Sequence, residues 1–379
     1  MFTPMEAPVA VAPLQAVWYL LVAVLWIGFF VLEGFDFGAG MLMQVLSRKE
    51  PEERRVMVNT VGPMWGANQV WLLTAGGATF AAFPGWYATL FSGLYLPLFL
   101  VLVALIVRGI SFEYRHFNQE SAWKNTFDWL NSAGSFVVML VFGVGFANFV
   151  RGLPVYADST NGMNEMLIAG DFVHRFLFLF TPFALLGGLM FVAASLAQGT
   201  MWLGLKTSGK VLDKAVAFAP KAAWAAAVLM AAFFIWSNIG QAQGNTFLNG
   251  FGVALRWIFA ILAILGMAAA GWFVMQKRYG ISFIASSVGI AMMVASICTS
   301  VYGTLGFVIA RGPNQGPAAL NVATASSSDL TLKLMTIFAC ILVPIVLLYT
   351  IWAFTRFKAR LSVSNLPSEL AGEKVGAAA

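Results

Sequence analysis

Long apolar stretches alternate along this chain with short polar connections, regularly enough to be counted. A helix needs about 20 residues to cross roughly 30 Å of hydrocarbon. Runs of that order lie at residues 16–43, 67–84, 86–110, 129–150, 173–200, 216–239, 252–275, 281–310 and 332–355. The pattern predicts an all-α polytopic membrane protein with nine transmembrane helices. The second run is the shortest, and Gly76, Gly77 and Pro84 interrupt it.

The polar positions orient these runs. Loops on the cytoplasmic side of a membrane retain Lys and Arg. Of the 22 present, 17 fall in the first, third, fifth and seventh connections and the C-terminal tail, and 5 fall in the alternate set. The split predicts an N-terminus outside and a C-terminus in the cytoplasm. The first run lacks a basic n-region and continues into a polar motif, so no cleavable signal is expected.

A weak internal repeat is visible. The fourth run ends in Gly145-Phe146 and then Val150-Arg151-Gly152 with Pro154, and the eighth in Gly306-Phe307 and then Ala310-Arg311-Gly312-Pro313. Duplication of a four-helix bundle would produce this offset; Arg-Gly-Pro is equally an ordinary helix stop. The expected organisation is a first four-helix bundle over 1–150, a second with its outer loop over 151–330, and a peripheral final helix with a polar, mobile tail over 331–379.

Composition narrows the class. Side chains are 60% hydrophobic and 10% charged, whereas soluble domains carry about 25% charge. A cytosolic globular enzyme, a disordered protein and a disulfide-stapled module are excluded, and a polytopic membrane protein remains. The 34 Phe, 13 Trp and 36 Gly suit helices packed in lipid, with aromatics at interfaces and glycines at close approaches. The net charge of +6 is explained by the basic loops, so no nucleic-acid partner is expected. Cys298 and Cys340 lie inside apolar runs, so no structural disulfide is expected.

Ionisable residues within a span are costly and are functional candidates. The first run contains Glu33-Gly34-Phe35-Asp36-Phe37-Gly38. Glu33 and Asp36 share a helix face, roughly 4.5 Å apart along the axis, in the cytoplasmic half of the span. Two acids there suit proton uptake; alternatively they pair with basic residues and hold helices together. Arg108 and Asp128 lie at the level of Asp36, so an Asp36–Arg108–Asp128 ionic cluster is expected, with Glu113 and Arg115 as nearby interface charges. Asn68 and Gln69 enter the second run at the depth of Glu33 and either orient water in a proton file or cap a helix start. Trp65 and Trp71 read as belt or packing aromatics. Only His116 and His174 offer imidazole, and neither has a second ligand at metal spacing; the 17 Met fit core filling better than haem ligation. No metal or haem bound by this chain alone is expected.

These residues resemble subunit II of cytochrome bd-type quinol oxidases, bacterial membrane complexes that oxidise quinol and reduce oxygen to water. The resemblance rests on Leu32-Glu33-Gly34-Phe35-Asp36-Phe37-Gly38, on Asn59-Thr60-Val61-Gly62-Pro63, and on the stretch from Asn68-Gln69-Val70-Trp71 to Gly76-Gly77-Ala78. It continues through Phe91-Ser92-Gly93, Leu94-Tyr95-Leu96-Pro97, Arg108-Gly109, Phe112-Glu113-Tyr114-Arg115, Asp128-Trp129, and Ser327-Ser328-Asp329-Leu330 to Thr336. The matches are dense over 17–155 and sparser to the last span.

The resemblance implies an obligate partner, subunit I, which holds two b-type haems, one d-type haem and the quinol site. The present chain would then be haem-free, with a structural quinone, small single-helix accessory subunits and membrane lipid as further associates. It further implies polar residues on a proton route toward the oxygen-reducing haem, with Glu33, Asp36 and Asp128 standing at acidic positions of the family. One position departs. The family commonly reads Trp-Asp-Gly-Asn where this chain has Trp65-Gly66-Ala67-Asn68. Water beside Gly66 and Asn68 replaces that carboxylate, or Glu33 acts alone, or protons enter through subunit I. The rival readings are a secondary transporter, to which nine helices and membrane carboxylates also point, and a purely structural scaffold.

Overall fold

The first apolar run is interrupted within the membrane. In the computed structural model, which describes residues 10–118, 120–157, 164–166, 172–241, 250–309 and 320–366, helix α1 (Pro13–Leu32) ends at Glu33 and α2 (Gly34–Leu46) begins beyond it. A short helix, α3 (Pro51–Val61), follows, with Glu52 and Glu53 in its first turn, where they complement the helix dipole. Then come α4 (Trp65–Ala82), α5 (Pro84–Gly93), α6 (Tyr95–Tyr114) and the long α7 (Ser121–Arg151). After α8 (Phe172–Leu177) the chain continues through α9 (Pro182–Lys206), α10 (Lys210–Trp236), α11 (Gly250–Met275), α12 (Tyr279–Val301) and α13 (Asp329–Arg356).

Eight helical segments are long and apolar enough to cross a membrane, with α1 and α2 together forming one of 34 residues. The expected second run corresponds to α4, whose Asn68 and Gln69 keep it outside that set. Three other expectations shift for local reasons. The third run divides at Leu94, between α5 and α6. The fifth starts as a spanning helix at Pro182, where proline suits the first turn and the Thr181 hydroxyl accepts from the Ala184 N–H. The eighth stops at Val301, not 310: Leu305 and Gly306 take positive φ, and a Cβ on Gly306 would lie 2.7 Å from that of Phe149, so glycine is needed there.

That stop builds a sheet the all-α expectation did not contain. Strand β1 (Leu153–Ala157) pairs antiparallel with β2 (Asn164–Met166) and parallel with β3 (Phe307–Ile309), with Leu153 opposite Phe307. The chain just after α7 is thereby paired with the chain just after α12, although Gly145-Phe146 itself stays inside α7; Ala310-Arg311-Gly312-Pro313 lies outside the described residues.

Helix α9 is the packing centre, touching α2, α7, α10 and α12. Its approach to α2 depends on two glycines. A Cβ on Gly38 would lie 2.0 Å from the Ser195 carbonyl oxygen, and one on Gly199 would lie 2.5 Å from the Gly38 carbonyl carbon. Small residues permit such backbone contact, which takes the place of a hydrophobic drive in lipid. The start of the tail, expected to be mobile, is docked: Leu361 N–H donates to the Lys206 carbonyl at 2.8 Å, and Ser208 N–H to that of Leu361 at 2.9 Å. Leu361, Val363 and Leu366 pack against a core containing Phe35 and Trp202. Apolar tail residues thus have a surface to cover.

Candidate functional site: two buried ionic clusters and a cavity

The interruption at Glu33 is held by side chains from two other helices. The Val31 carbonyl accepts from Gln198 Nε2 at 3.0 Å, the Leu32 carbonyl from Asn68 Nδ2 at 3.1 Å, and the Gly34 carbonyl from Ser195 Oγ at 2.6 Å. Backbone polar groups in a membrane must find partners within the protein, and α4 and α9 supply them. Ser195 and Gln198 sit one turn apart on α9, so one helix face reads the break. Polar residues at that spacing in an apolar run were the available signal, and sequence reasoning passed over it.

Glu33, Asp36, Asn68 and Arg108 meet at this point, and all four are buried. Arg108 Nη1 lies 3.5 Å from Glu33 Oε2, while its guanidinium sits over the rings of Phe37 and Phe112, 4.5 and 5.1 Å from their centroids. Asp36 Oδ2 accepts from Asn68 Nδ2 at 3.0 Å. The expected Asp36–Arg108–Asp128 cluster therefore does not form: Arg108 takes Glu33, Asp36 takes an amide, and Asp128 takes other arginines. The approximate depth of each residue follows from its place in a run; which side chain reaches which depends on how helices rotate. Gln69 is half-buried and stands apart from these contacts. Four buried atoms have no protein partner: Glu33 Oε1, Asp36 Oδ1, Arg108 Nε and Arg108 Nη2.

The second cluster is tighter. Asp128 Oδ1 meets Arg115 Nε at 2.6 Å and Oδ2 meets Arg54 Nε at 2.8 Å, with Arg115 Nη2 at 3.2 Å from Oδ2. All three side chains are buried, so Arg115 is no interface charge. Glu53 completes the region, accepting from Ser47 Oγ at 2.5 Å and pairing with Lys214 Nζ at 2.6 Å. Just outside the spans, partial burial first, then the charges of Arg55 and Arg115, hold the His116 imidazole below its ordinary pKa.

A polar seam joins the clusters. Asp128, Asn131, Ser132 and Ser135 recur on one face of α7 at i, i+3, i+4 and i+7. Asn131 Nδ2 donates to Ser111 Oγ at 2.9 Å, Ser111 to the Arg108 carbonyl at 2.6 Å, and Ser132 to the Gly40 carbonyl at 2.6 Å. Asn131 Oδ1 and Ser135 Oγ are buried without a protein partner, and a Cβ on Gly40 would stand 2.6 and 2.5 Å from them.

Away from both clusters lies an apolar cavity of about 680 Å³, lined among others by Tyr19, Trp26, Trp86, Phe142, Phe146 and Cys298. Tyr19 stacks on Trp86, with centroids 6.0 Å apart, and its hydroxyl donates to the Cys298 carbonyl at 2.6 Å. Trp86 Nε1 is buried with no protein acceptor. Trp65 and Trp71 prove to be packing aromatics: Trp65 stacks on Phe112 at 5.2 Å, and the Trp71 ring covers Gly28. Among the described residues no group of three His, Cys, Asp or Glu is placed to hold a metal ion.

Residues 14–357 match the family model of cytochrome bd terminal oxidase subunit II. The chain is 36% identical over 351 residues to the cytochrome bd ubiquinol oxidase subunit 2 of Bacillus subtilis (strain 168), covering 93% of this chain and 98% of that one. It is 34% identical over 377 residues to the cytochrome bd-I ubiquinol oxidase subunit 2 of Escherichia coli (strain K12), covering 93% and 96%. In fold it is similar to a chain of the bd oxidase from Geobacillus thermodenitrificans, with a TM-score of 0.66, 17% identity, and coverage of 91% of this chain and 99% of that chain.

Proposed function

The chain belongs to the cytochrome bd terminal oxidase subunit II family, and on that premise we propose that it is the haem-free half of its complex and carries part of a cytoplasmic proton route. It is a multi-pass protein of the bacterial inner membrane and one subunit of an oxidoreductase complex in which subunit I is its partner. In the finer reading α4 is the ninth span, the N-terminus faces outside and the C-terminus the cytoplasm. The helices form two four-helix bundles with α13 peripheral. Subunit I then holds two b-type haems, one d-type haem and the site where quinol is oxidised and oxygen reduced. Haem needs an axial ligand, and the chain's two histidines suit that role poorly: His116 follows α6, and His174 sits in α8, far along the chain.

The observation that carries the proton reading is the under-satisfied acid pair at the break in the first span. Buried polar atoms require partners, from protein or from ordered water. Glu33 and Asp36 each keep one oxygen that no protein atom meets, as do Asn131 and Ser135 along the seam toward Asp128. Water bridging those atoms gives a file from the cytoplasmic end of α7 to the break. Arg108, 3.5 Å from Glu33, holds the acid in position at less than ideal hydrogen-bond length. The test is turnover per d-type haem in the Glu33→Gln complex. A loss of about tenfold or more is expected for a proton-transfer group with haem content intact; wild-type turnover would leave a scaffold role as the better reading.

We further propose a structural quinone as the occupant of the cavity. Its volume falls within the roughly 300–1,000 Å³ usual for cofactor sites, its walls are aromatic and aliphatic, and Trp86 Nε1 needs an acceptor. A bound quinone supplies a carbonyl to that N–H and a prenyl chain to the walls. Trp86→Phe should lower the quinone retained by purified complex; unchanged retention would remove this assignment.

A further inference from the structure

Arg108 is a buried cation with too few hydrogen-bond partners to explain where it stands. Its one carboxylate contact is the 3.5 Å approach of Nη1 to Glu33 Oε2, and Nε and Nη2 meet no protein acceptor. Charge-assisted pairs normally close to about 2.7–2.9 Å, as the Asp128 cluster does at 2.6 and 2.8 Å. A guanidinium free to move would close the gap to Glu33, because attraction between opposite charges grows as they approach and is little screened in a protein interior. Something other than the acid fixes Arg108.

Aromatic rings do so. The guanidinium carbon stands 4.5 Å from the centroid of Phe37 on α2 and 5.1 Å from that of Phe112, one turn further along α6. A guanidinium over an aromatic face is attracted by the ring quadrupole, more strongly where water is absent. Each ring is braced in turn. Phe112 stacks on Trp65, the first residue of α4, at 5.2 Å with 11° between the planes. The Trp65 ring also covers Gly109, where a Cβ would lie 3.7 Å from Cη2. Phe37 meets Phe29 of α1 edge-on at 6.3 Å. The arginine's stem is crowded by α7, since a Cβ on Gly134 would lie 3.4 Å from the Arg108 Cβ. Rings from α2 and α6, backed by α1 and α4, thus set the place of the charge.

We propose that Phe112 and Phe37, with Trp65 bracing Phe112, are positioning residues that hold Arg108 beside Glu33 but short of a closed ion pair. They hold it there whether or not Glu33 is charged. The consequence for turnover rests on the reading of Glu33 as a proton carrier; the placement of Arg108 by rings does not. A cation fixed at this distance steadies the carboxylate without occupying both of its oxygens, so Oε1 stays open to water. Were Arg108 to close on Glu33 as Arg115 closes on Asp128, through two nitrogens, both oxygens would be taken. Protonating the acid would then strand a buried cation, and its charge would be fixed.

Two measurements on the whole complex test this. In the structure of the Glu33→Gln complex, solved by electron cryomicroscopy, the Arg108 guanidinium should remain over Phe37 and Phe112. Its departure toward Asp36, whose Oδ1 is unmet, would show that the acid held it and would overturn the proposal. The second measurement compares F112L, which keeps apolar bulk but removes the ring face, with F112Y, which keeps both. F112L should turn over about fivefold more slowly per d-type haem, with Arg108 drawn onto both Glu33 oxygens, and F112Y should match the wild type. An unmoved Arg108 in F112L, an equal loss in F112Y, or wild-type turnover of F112L beside a slow Glu33→Gln would each sink it. If F112L yields too little complex to assay, the Glu33→Gln structure decides. Wild-type turnover of Glu33→Gln with Arg108 still on its rings would remove the proton reading and leave the placement of Arg108 standing.

Discussion

Asp128 and Glu33 are both buried carboxylates facing arginine, yet they are held in opposite ways. Asp128 has two arginines at 2.6 and 2.8 Å; Glu33 has one at 3.5 Å and keeps an unmet oxygen. A carboxylate gripped by two guanidiniums is fixed in charge and position, because protonating it strands two buried cations. A carboxylate with one long contact and a spare lone pair can exchange partners with water. The difference teaches that burial alone does not make two carboxylates equivalent; on the proposed proton route, incomplete satisfaction is what singles out Glu33. The doubly paired acid sits near the start of α7, and the loosely held one sits where the first span is interrupted.

That comparison is most exposed at Asp128. Asp128→Asn leaves Arg54 and Arg115 without their counter-charge, and removing one partner of a buried pair costs about 3–5 kcal/mol. We expect little assembled complex, measured as d-type haem recovered per milligram of membrane protein. Normal recovery would mean that the two clusters are equivalent. Next in size is the contrast between the acids at the break. Because Arg108 is paired with Glu33 and not with Asp36, Asp36→Asn keeps the ion pair and alters only the contact with Asn68. It should assemble normally and lose less turnover than Glu33→Gln; a larger loss would move the proton role to Asp36.

Gly66 sharpens the same point at smaller scale. A Cβ there meets nothing within 4 Å, so Gly66→Asp should not disturb the fold. In the Glu33→Gln background it should recover part of the turnover if both positions serve one water file, and no recovery would separate them. The smallest effect is expected at His116. Its folded pKa is held below the unfolded value of about 6.5, so the unfolded chain binds more protons in that window. The neutral imidazole's contribution to stability is present above about pH 6.5 and is lost as pH falls through the folded value. His116→Gln should flatten the decline in thermal stability of the complex between neutral and mildly acidic pH; an unchanged slope would assign the decline to other groups.

Much of this was legible from residue order. Glu33, Asp36, Asn68 and Arg108 stood out because polar side chains in hydrocarbon are conspicuous, and they do meet. The i, i+3, i+4, i+7 line of Asp128, Asn131, Ser132 and Ser135 was equally available and went unread. Arg54 and Arg115 were hidden for another reason. They lie in basic connections between spans, where the positive-inside bias explains any Lys or Arg without a partner, so nothing in their position announced burial. Nothing in residue order singles out Trp86 and Tyr19 among the membrane aromatics, because a cavity has no signature in a linear pattern.

Residue order by itself determined the membrane class, the approximate runs and the family, since hydrocarbon imposes a length and a composition on each helix independently of its neighbours. Tertiary structure alone decided the pairings. Whether Arg108 reaches Glu33 or Asp36 depends on the rotation of α6 against α2, and that rotation is set by contacts such as Gly38 against Gly199 and Gly134 against the Ala104 carbonyl. The same holds for the break at Glu33, whose carbonyls are satisfied by Asn68 from α4 and by Ser195 and Gln198 from α9. A span can be read one helix at a time; a charge network belongs to several helices at once, and its geometry exists only when they are packed.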